Sequence, residues 1–125
     1  MRELIINYKI NATAGELFKA LTESFALELW TGYPAIMQPV KGTEFELWEG
    51  DISGINLEFI ENQKIVQEWY FGEQEEKSIV TIMLRPKGNA TIIEIIHTNI
   101  PDEAYENIRK GWYETYLSSL KSFFK

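Results

Sequence analysis

Between Pro101 and Phe124 the chain carries more aromatic rings than a solvent-exposed helix can tolerate, and this segment constrains the fold more than any other. Pro101 suits a first helical position, Asp102, Glu103 and Glu106 occupy the opening turns, and Lys121 and Lys125 lie near the end. That charge order is the one a helix dipole favours. At 1.5 Å per residue the segment forms one helix of roughly 36 Å. Tyr105, Ile108, Trp112, Tyr116 and Phe123 fall along one line, with Tyr113, Leu117, Leu120 and Phe124 beside it. Such a helix has to lie in a groove, because its apolar surface is too wide to leave in water. Gly111 lies within it, at a cost of up to ~1 kcal/mol relative to alanine, which suggests either close approach by another element, expected to be the short helices between 14 and 31, or simple tolerance of crowding.

The rest of the chain supplies the groove. Leu4, Ile6, Tyr8 and Ile10 alternate with Glu3, Asn7 and Lys9, the period-two pattern of a half-buried strand. Thr13 and Glu16 form a capping box for a helix running to Thr22, with Ala14, Leu17, Phe18 and Leu21 on one stripe. Ser24 is placed to cap a second short helix carrying Phe25, Leu27, Leu29 and Trp30, which Gly32 and Pro34 terminate. From Ala35 onward six strand-like segments follow, at 35–40, 43–48, 52–60, 64–71, 77–86 and 90–98. The gaps between them are short enough for hairpins, which predicts an antiparallel meander. The only surface wide enough to receive the aromatic helix is the concave face of that sheet, so the fold class is α+β, a curved antiparallel sheet wrapped around a long C-terminal helix.

Length and composition exclude several function classes. A chain of 125 residues with 45% apolar residues builds one domain, spanning 1–125, with a real core. No run of ~18 apolar residues and no export signal is visible, so a soluble cytoplasmic protein is expected, with no membrane span. The absence of cysteine excludes thiol catalysis, disulfides and cysteine-ligated metals, and a single histidine excludes a di-histidine metal site. A net charge of −7 has the wrong sign for nucleic acid. The imbalance is concentrated in residues 41–76, where ten acids face only Lys41 and Lys64. This acidic surface would attract a basic partner, or simply keep the protein in solution. There is no phosphate-binding glycine loop and no nucleophile elbow, so no cofactor, metal or catalytic residue is assigned.

What remains are candidates for lining a chamber. His97 has the strand parity of Ile93 and Ile95, which turns it toward the long helix as a core fixture or a group that orients a ligand. Asn56 and Glu58 share the parity of Gly54, while Ile55, Leu57 and Phe59 share the other, so either set can face inward; Gly54 leaves room for close approach by backbone or ligand. Glu44 with Glu46, and Glu73 with Glu75, read as solvent-facing pairs. Trp30, Trp48, Trp69 and Trp112 are many tryptophans for a small domain, and their ring nitrogens need partners if buried.

In this order and spacing the residues resemble the activator of heat shock protein 90 ATPase homologue family, within the START-like, helix-grip superfamily. The likeness is carried by 12–22, Trp30, the run from Phe45 to Gly54, Ile65-Val66-Gln67-Glu68-Trp69, His97-Thr98, Pro101-Asp102-Glu103 and Gly111-Trp112. It implies the element order β-α-α-β(6)-α and a cavity between sheet and C-terminal helix, for which Trp30, Trp48, Asn56, Glu58, Trp69, His97, Ile108, Trp112 and Tyr116 are the candidate lining residues. Three functions follow as expectations: non-enzymatic binding of a small hydrophobic or amphipathic molecule, a co-chaperone-like module that binds a molecular chaperone, and a cyclase or hydrolase.

Overall fold

The computed structural model describes residues 1–72 and 76–125. Strand β1 (Arg2–Ile10) is followed by helices α1 (Ala14–Thr22) and α2 (Ser24–Thr31), then by β2 (Glu44–Leu47), β3 (Ile52–Ile60), β4 (Lys64–Trp69), β5 (Ser78–Lys87) and β6 (Ala90–Ile100). The strands form one curved sheet in the order β1-β6-β5-β4-β3-β2, every neighbouring pair antiparallel. The C-terminal rod begins with a tight turn at Asp102–Ala104 and continues as α3 (Tyr105–Gly111), a π-helical stretch (Trp112–Leu117) and α4 (Ser118–Phe123). The expected α+β helix-grip architecture is therefore present.

Local chemistry explains the entry helices. Thr13 accepts a hydrogen bond from the Glu16 backbone N–H at 3.1 Å, and Glu16 accepts one from the Thr13 N–H at 3.0 Å, completing the capping box. Gly32 ends α2 in the left-handed region at φ 82°. Ser24 does not cap α2; its hydroxyl donates instead to the Met37 carbonyl at 3.1 Å and fastens the following loop. That loop accounts for a second difference from expectation. Segment 35–40 makes a single bridge, Ile36 to Glu46, because Pro39 and the turn at Lys41-Gly42 end the pairing, so among the described residues five strands follow the helices.

The core lies between the sheet and the helices. Leu4, Ile6, Ile10, Val80, Ile82, Ile93 and Ile95 from the sheet meet Leu17, Phe18, Leu21 and Leu27 from α1 and α2 and Trp112, Tyr116, Leu117 and Leu120 from the rod. The side of the rod that faces inward is not the straight line expected. Tyr113 and Phe123 are exposed, whereas Leu117, Leu120 and Phe124 continue the packed face below Tyr116. The π-helical stretch is the reason: its wider turn inserts an extra residue and advances the buried stripe by one position. Arg2 lies 3.9 Å from the Tyr105 ring centre and Lys121 lies 5.8 Å from that of Tyr8, so both ends of the rod are tied along β1.

Strand β3 resolves the question of its two parities. Its register with β4 slips between Asn56 and Glu58, a bulge at Leu57. Before the bulge Gly54 and Asn56 face inward; after it Phe59 does, edge-on to Phe18 at 6.4 Å, while Glu58 turns outward. At Gly54 two strands approach closely. A Cβ there would collide with the Glu68 carbonyl of β4 and crowd the Phe45 ring at 3.0 Å. At Gly111 the opposite holds: a Cβ would meet nothing within 4 Å, so no element approaches it, and α1 and α2 pack elsewhere. Denaturant unfolding is thus expected to find Gly54→Ala destabilised by about 3 kcal/mol or more. Gly111→Ala should gain ~0.5–1 kcal/mol, its φ of −59° being already helical. A neutral Gly54→Ala would contradict the packing of β3 on β4.

Candidate functional site

Where the rod passes the turn between β2 and β3, a cleft of about 550 Å³ opens to solvent. One wall is Trp48, Asp51 and Ile52; the other runs along the rod from Asn107 to Tyr116; Trp69 of β4 forms the floor. The first wall depends on an unusual backbone. Trp48, Glu49 and Gly50 all have positive φ, at 50°, 56° and 94°, and for the two non-glycine residues this costs roughly 1–2 kcal/mol each. Strand alternation would point Trp48 away from the side of Leu47. The left-handed turn swings its ring back until it stands edge-on to Trp30 at 5.7 Å and 5.9 Å from Tyr116.

Behind the cleft the rings pack against one another. Trp69 and Trp112 stack at 4.9 Å and 20°, and Tyr116 lies 4.6 Å from Trp112 and 5.2 Å from Trp30. Two hydrogen-bonded chains anchor this cluster. The Trp112 indole N–H donates to His97 Nδ1 at 3.1 Å, and His97 Nε2 stands 2.8 Å from the Ser78 hydroxyl. Indole is a donor only, so Nδ1 must accept and the imidazole proton sits on Nε2, where it is given to Ser78 Oγ. The Ser78 proton in turn goes to the Thr98 carbonyl at 3.1 Å. In the second chain Trp69 Nε1 donates to Gln67 Oε1 at 3.0 Å and Gln67 Nε2 donates to Asn56 Oδ1 at 3.0 Å. The Asn56 amide nitrogen closes it, 3.1 Å from Thr43 Oγ1 and 3.3 Å from the Gln38 carbonyl.

Five of the nine candidates therefore meet at the cleft: Trp48, Trp69, Ile108, Trp112 and Tyr116. Trp30 is buried behind them, its indole N–H held by the Ala20 carbonyl at 2.8 Å. His97 and Asn56 are fully buried fixtures behind the wall, and Glu58 is not near it, pairing at the surface with Lys64 at 3.1 Å. Gly111 also lines the cleft, and Asp51, Ile52, Asn107, Lys110, Glu114 and Thr115 complete the lining without being among the sequence candidates. The four-residue spacing of Asn107, Gly111 and Thr115, parallel to that of Ile108, Trp112 and Tyr116, is the signal for two of them. Glu44 and Glu46 are exposed, Glu73 and Glu75 lie outside the described residues, and among the described residues no three histidine or acidic side chains group as metal ligands.

Burial sets the electrostatics. It pushes the His97 imidazole down to about 4, since both ring nitrogens are engaged in a dry interior. It raises the Tyr116 phenol above its ordinary value. Among the described residues neither the buried Tyr116 hydroxyl nor the half-buried Trp48 indole N–H has a hydrogen-bond partner, and both residues line the cleft. The arrangement offers polar contacts and flat apolar walls, with His97 shielded from the cleft by Trp112.

A curved antiparallel sheet gripping a C-terminal rod, with an aromatic cleft beside it, defines a START-like helix-grip protein. The comparisons narrow this further. The chain belongs to the family of Activator of Hsp90 ATPase homolog 1-like proteins, whose model matches residues 11–125. Among curated relatives, the Homo sapiens activator of 90 kDa heat shock protein ATPase homolog 1 is 27% identical over 111 residues, covering 87% of this chain and 33% of its own length. The Dictyostelium discoideum activator of 90 kDa heat shock protein ATPase homolog is 31% identical over 101 residues, 78% of this chain and 26% of its own. The chain thus spans about a third of the curated relatives it matches. The crystal structure of an HSP90 activator from Plasmodium falciparum superimposes with a TM-score of 0.89 at 25% identity, over 98% of this chain and 96% of that one. No helix among the described residues is long and apolar enough to cross a membrane.

The histidine makes a pH dependence. Its proton affinity is lowered on folding, so the unfolded chain binds the proton more readily between pH ~6.5 and about 4. Stability is fully present above pH ~6.5, falls as the pH drops through that window by about 3 kcal/mol, and levels off below. An NMR titration of the single imidazole should show no protonation of the folded protein above pH ~5. A midpoint near 6.5 would mean the ring is not held as described.

Proposed function

We propose that the chain, acting as one domain over residues 1–125, is a co-chaperone-like module that binds heat shock protein 90 in the cytoplasm. The observation that supports this most strongly is the match in extent as well as fold to the Plasmodium falciparum activator, a crystallised chain that this one covers almost end to end. Homologous activators in animals and Dictyostelium point to the same partner. The reading ranks ahead of an enclosed-ligand function because the rings of Trp30, Trp69, Trp112 and Tyr116 occupy the space beneath the rod. Calorimetry with the chaperone of the same organism at low salt should give association that weakens as salt rises, together with stimulated ATP hydrolysis by the chaperone. Absence of binding at tens of micromolar would remove the proposal.

A second reading rests on two polar groups at the cleft that have no hydrogen-bond partner among the described residues, the Tyr116 hydroxyl and the Trp48 indole N–H. A flat amphipathic molecule with an acceptor oxygen would satisfy them while lying against Trp69 and Ile108 in about 550 Å³, a volume within the usual range of ligand sites. A panel of hydrophobic metabolites, flavonoids and lipids should contain compounds that shift tryptophan emission and raise the melting temperature. Tyr116→Phe should weaken such binding by about tenfold. If no compound has either effect, the small-molecule function is lost and chaperone binding is untouched.

A further inference from the structure

Several large apolar side chains are exposed on α2 and the loop after it. Phe25 is 74% exposed, and Leu29, Tyr33, Ile36 and Val40 are each about half exposed. Phe25 and Leu29 are one helical turn apart on the same face of α2. The loop is pinned beside them at two points: the Ser24 hydroxyl donates to the Met37 carbonyl at 3.1 Å, and the Ala35 N–H donates to Glu28 Oε2 at 3.1 Å. These contacts hold the loop that carries Tyr33, Ile36 and Val40 against α2. At one end, Leu29 also lines a groove of about 380 Å³ shared with Ser119, Ser122 and Phe123 of the rod.

The rim of this surface is acidic. Ile36 and Glu46 exchange both backbone hydrogen bonds, at 2.9 and 3.0 Å, which sets their side chains on the same side. Glu44 lies two residues away on β2, and Glu23 and Glu28 flank the apolar face of α2. From 22 to 51 the chain has six acids and one base, Lys41. An isologous dimer through this face would bring the acids against their own copies, and an anionic lipid surface would meet the same repulsion. Large exposed apolar side chains gathered on a helix and on the loop fastened to it mark an interaction site.

We infer that the face formed by α2 and loop 33–40 docks a basic segment of a partner protein, whose apolar side chains cover Phe25, Leu29 and Ile36 and whose lysines or arginines meet Glu23, Glu44 and Glu46. It rests on the chaperone-binding reading above and specifies the surface that binding uses. The test is calorimetry with the chaperone of the same organism, using folded variants checked by circular dichroism. Phe25→Ser with Ile36→Ser should weaken binding at least about tenfold. Glu23→Gln with Glu46→Gln should weaken it about threefold to fivefold and flatten its salt dependence, while Ile5→Ser, on the exposed side of β1, should stay within about twofold of the wild type. Wild-type binding that survives Phe25→Ser with Ile36→Ser unchanged overturns this surface and leaves the chaperone reading standing; no wild-type binding overturns both. Self-association, or binding to phosphatidylserine vesicles, that these same substitutions abolish assigns the face to another occupant and likewise overturns the inference.

Discussion

Trp112 is held to the sheet by two different forces at once, and the placement of the whole C-terminal rod follows from that. Its ring stacks on Trp69 of β4, which supplies apolar burial without direction, while its N–H is fixed by His97 of β6, which supplies direction. Stacking alone would let the rod slide along a greasy surface. The single donor-acceptor pair selects one rotation and one height. Ser78 and Thr98 behind His97 complete the chain, so a polar group can sit in the driest part of the core without being left unsatisfied.

With Trp112 fixed, the space around it is divided. The π-helical stretch begins at that residue and widens the rod, which brings Tyr116 and Leu117 together into the core and leaves Gly111 beside an opening. On the far side the left-handed turn at Trp48 and Glu49 returns a ring toward the same spot. Irregular backbone on both sides therefore converges on one cleft, and regular structure elsewhere holds the two sides at a constant separation.

Much of this could be read from the amino acids, and the exceptions have definite causes. The rod, the capping box, the antiparallel sheet and the inward His97 follow from periodicity and side-chain chemistry, which are local. Glu58 escapes the same reasoning because a bulge at Leu57 exchanges the two faces of β3, and alternation carries no mark of where an extra residue enters. Phe123 escapes it because helical spacing presumes a constant pitch. The role of Gly111 was inverted for a similar reason: glycine signals room, but whether another chain or solvent fills the room depends on tertiary packing. Asp51, Lys110 and Glu114 are indistinguishable in sequence from other surface charges, and only the meeting of a turn with a helix brings them together.

The pairing of β1 with β6 has a cost that arises before the fold exists. Arg2 lies opposite Ile100 and Ile10 opposite Thr91, so among the described residues β1 finds its sheet partner in β6, far along the chain. During synthesis Leu4, Ile6 and Ile10 emerge with an unpaired edge and wait until β6 has been translated. A nascent chain of this topology is itself exposed to premature association, and its own maturation is sensitive to the pace of elongation and to whatever shields that early edge.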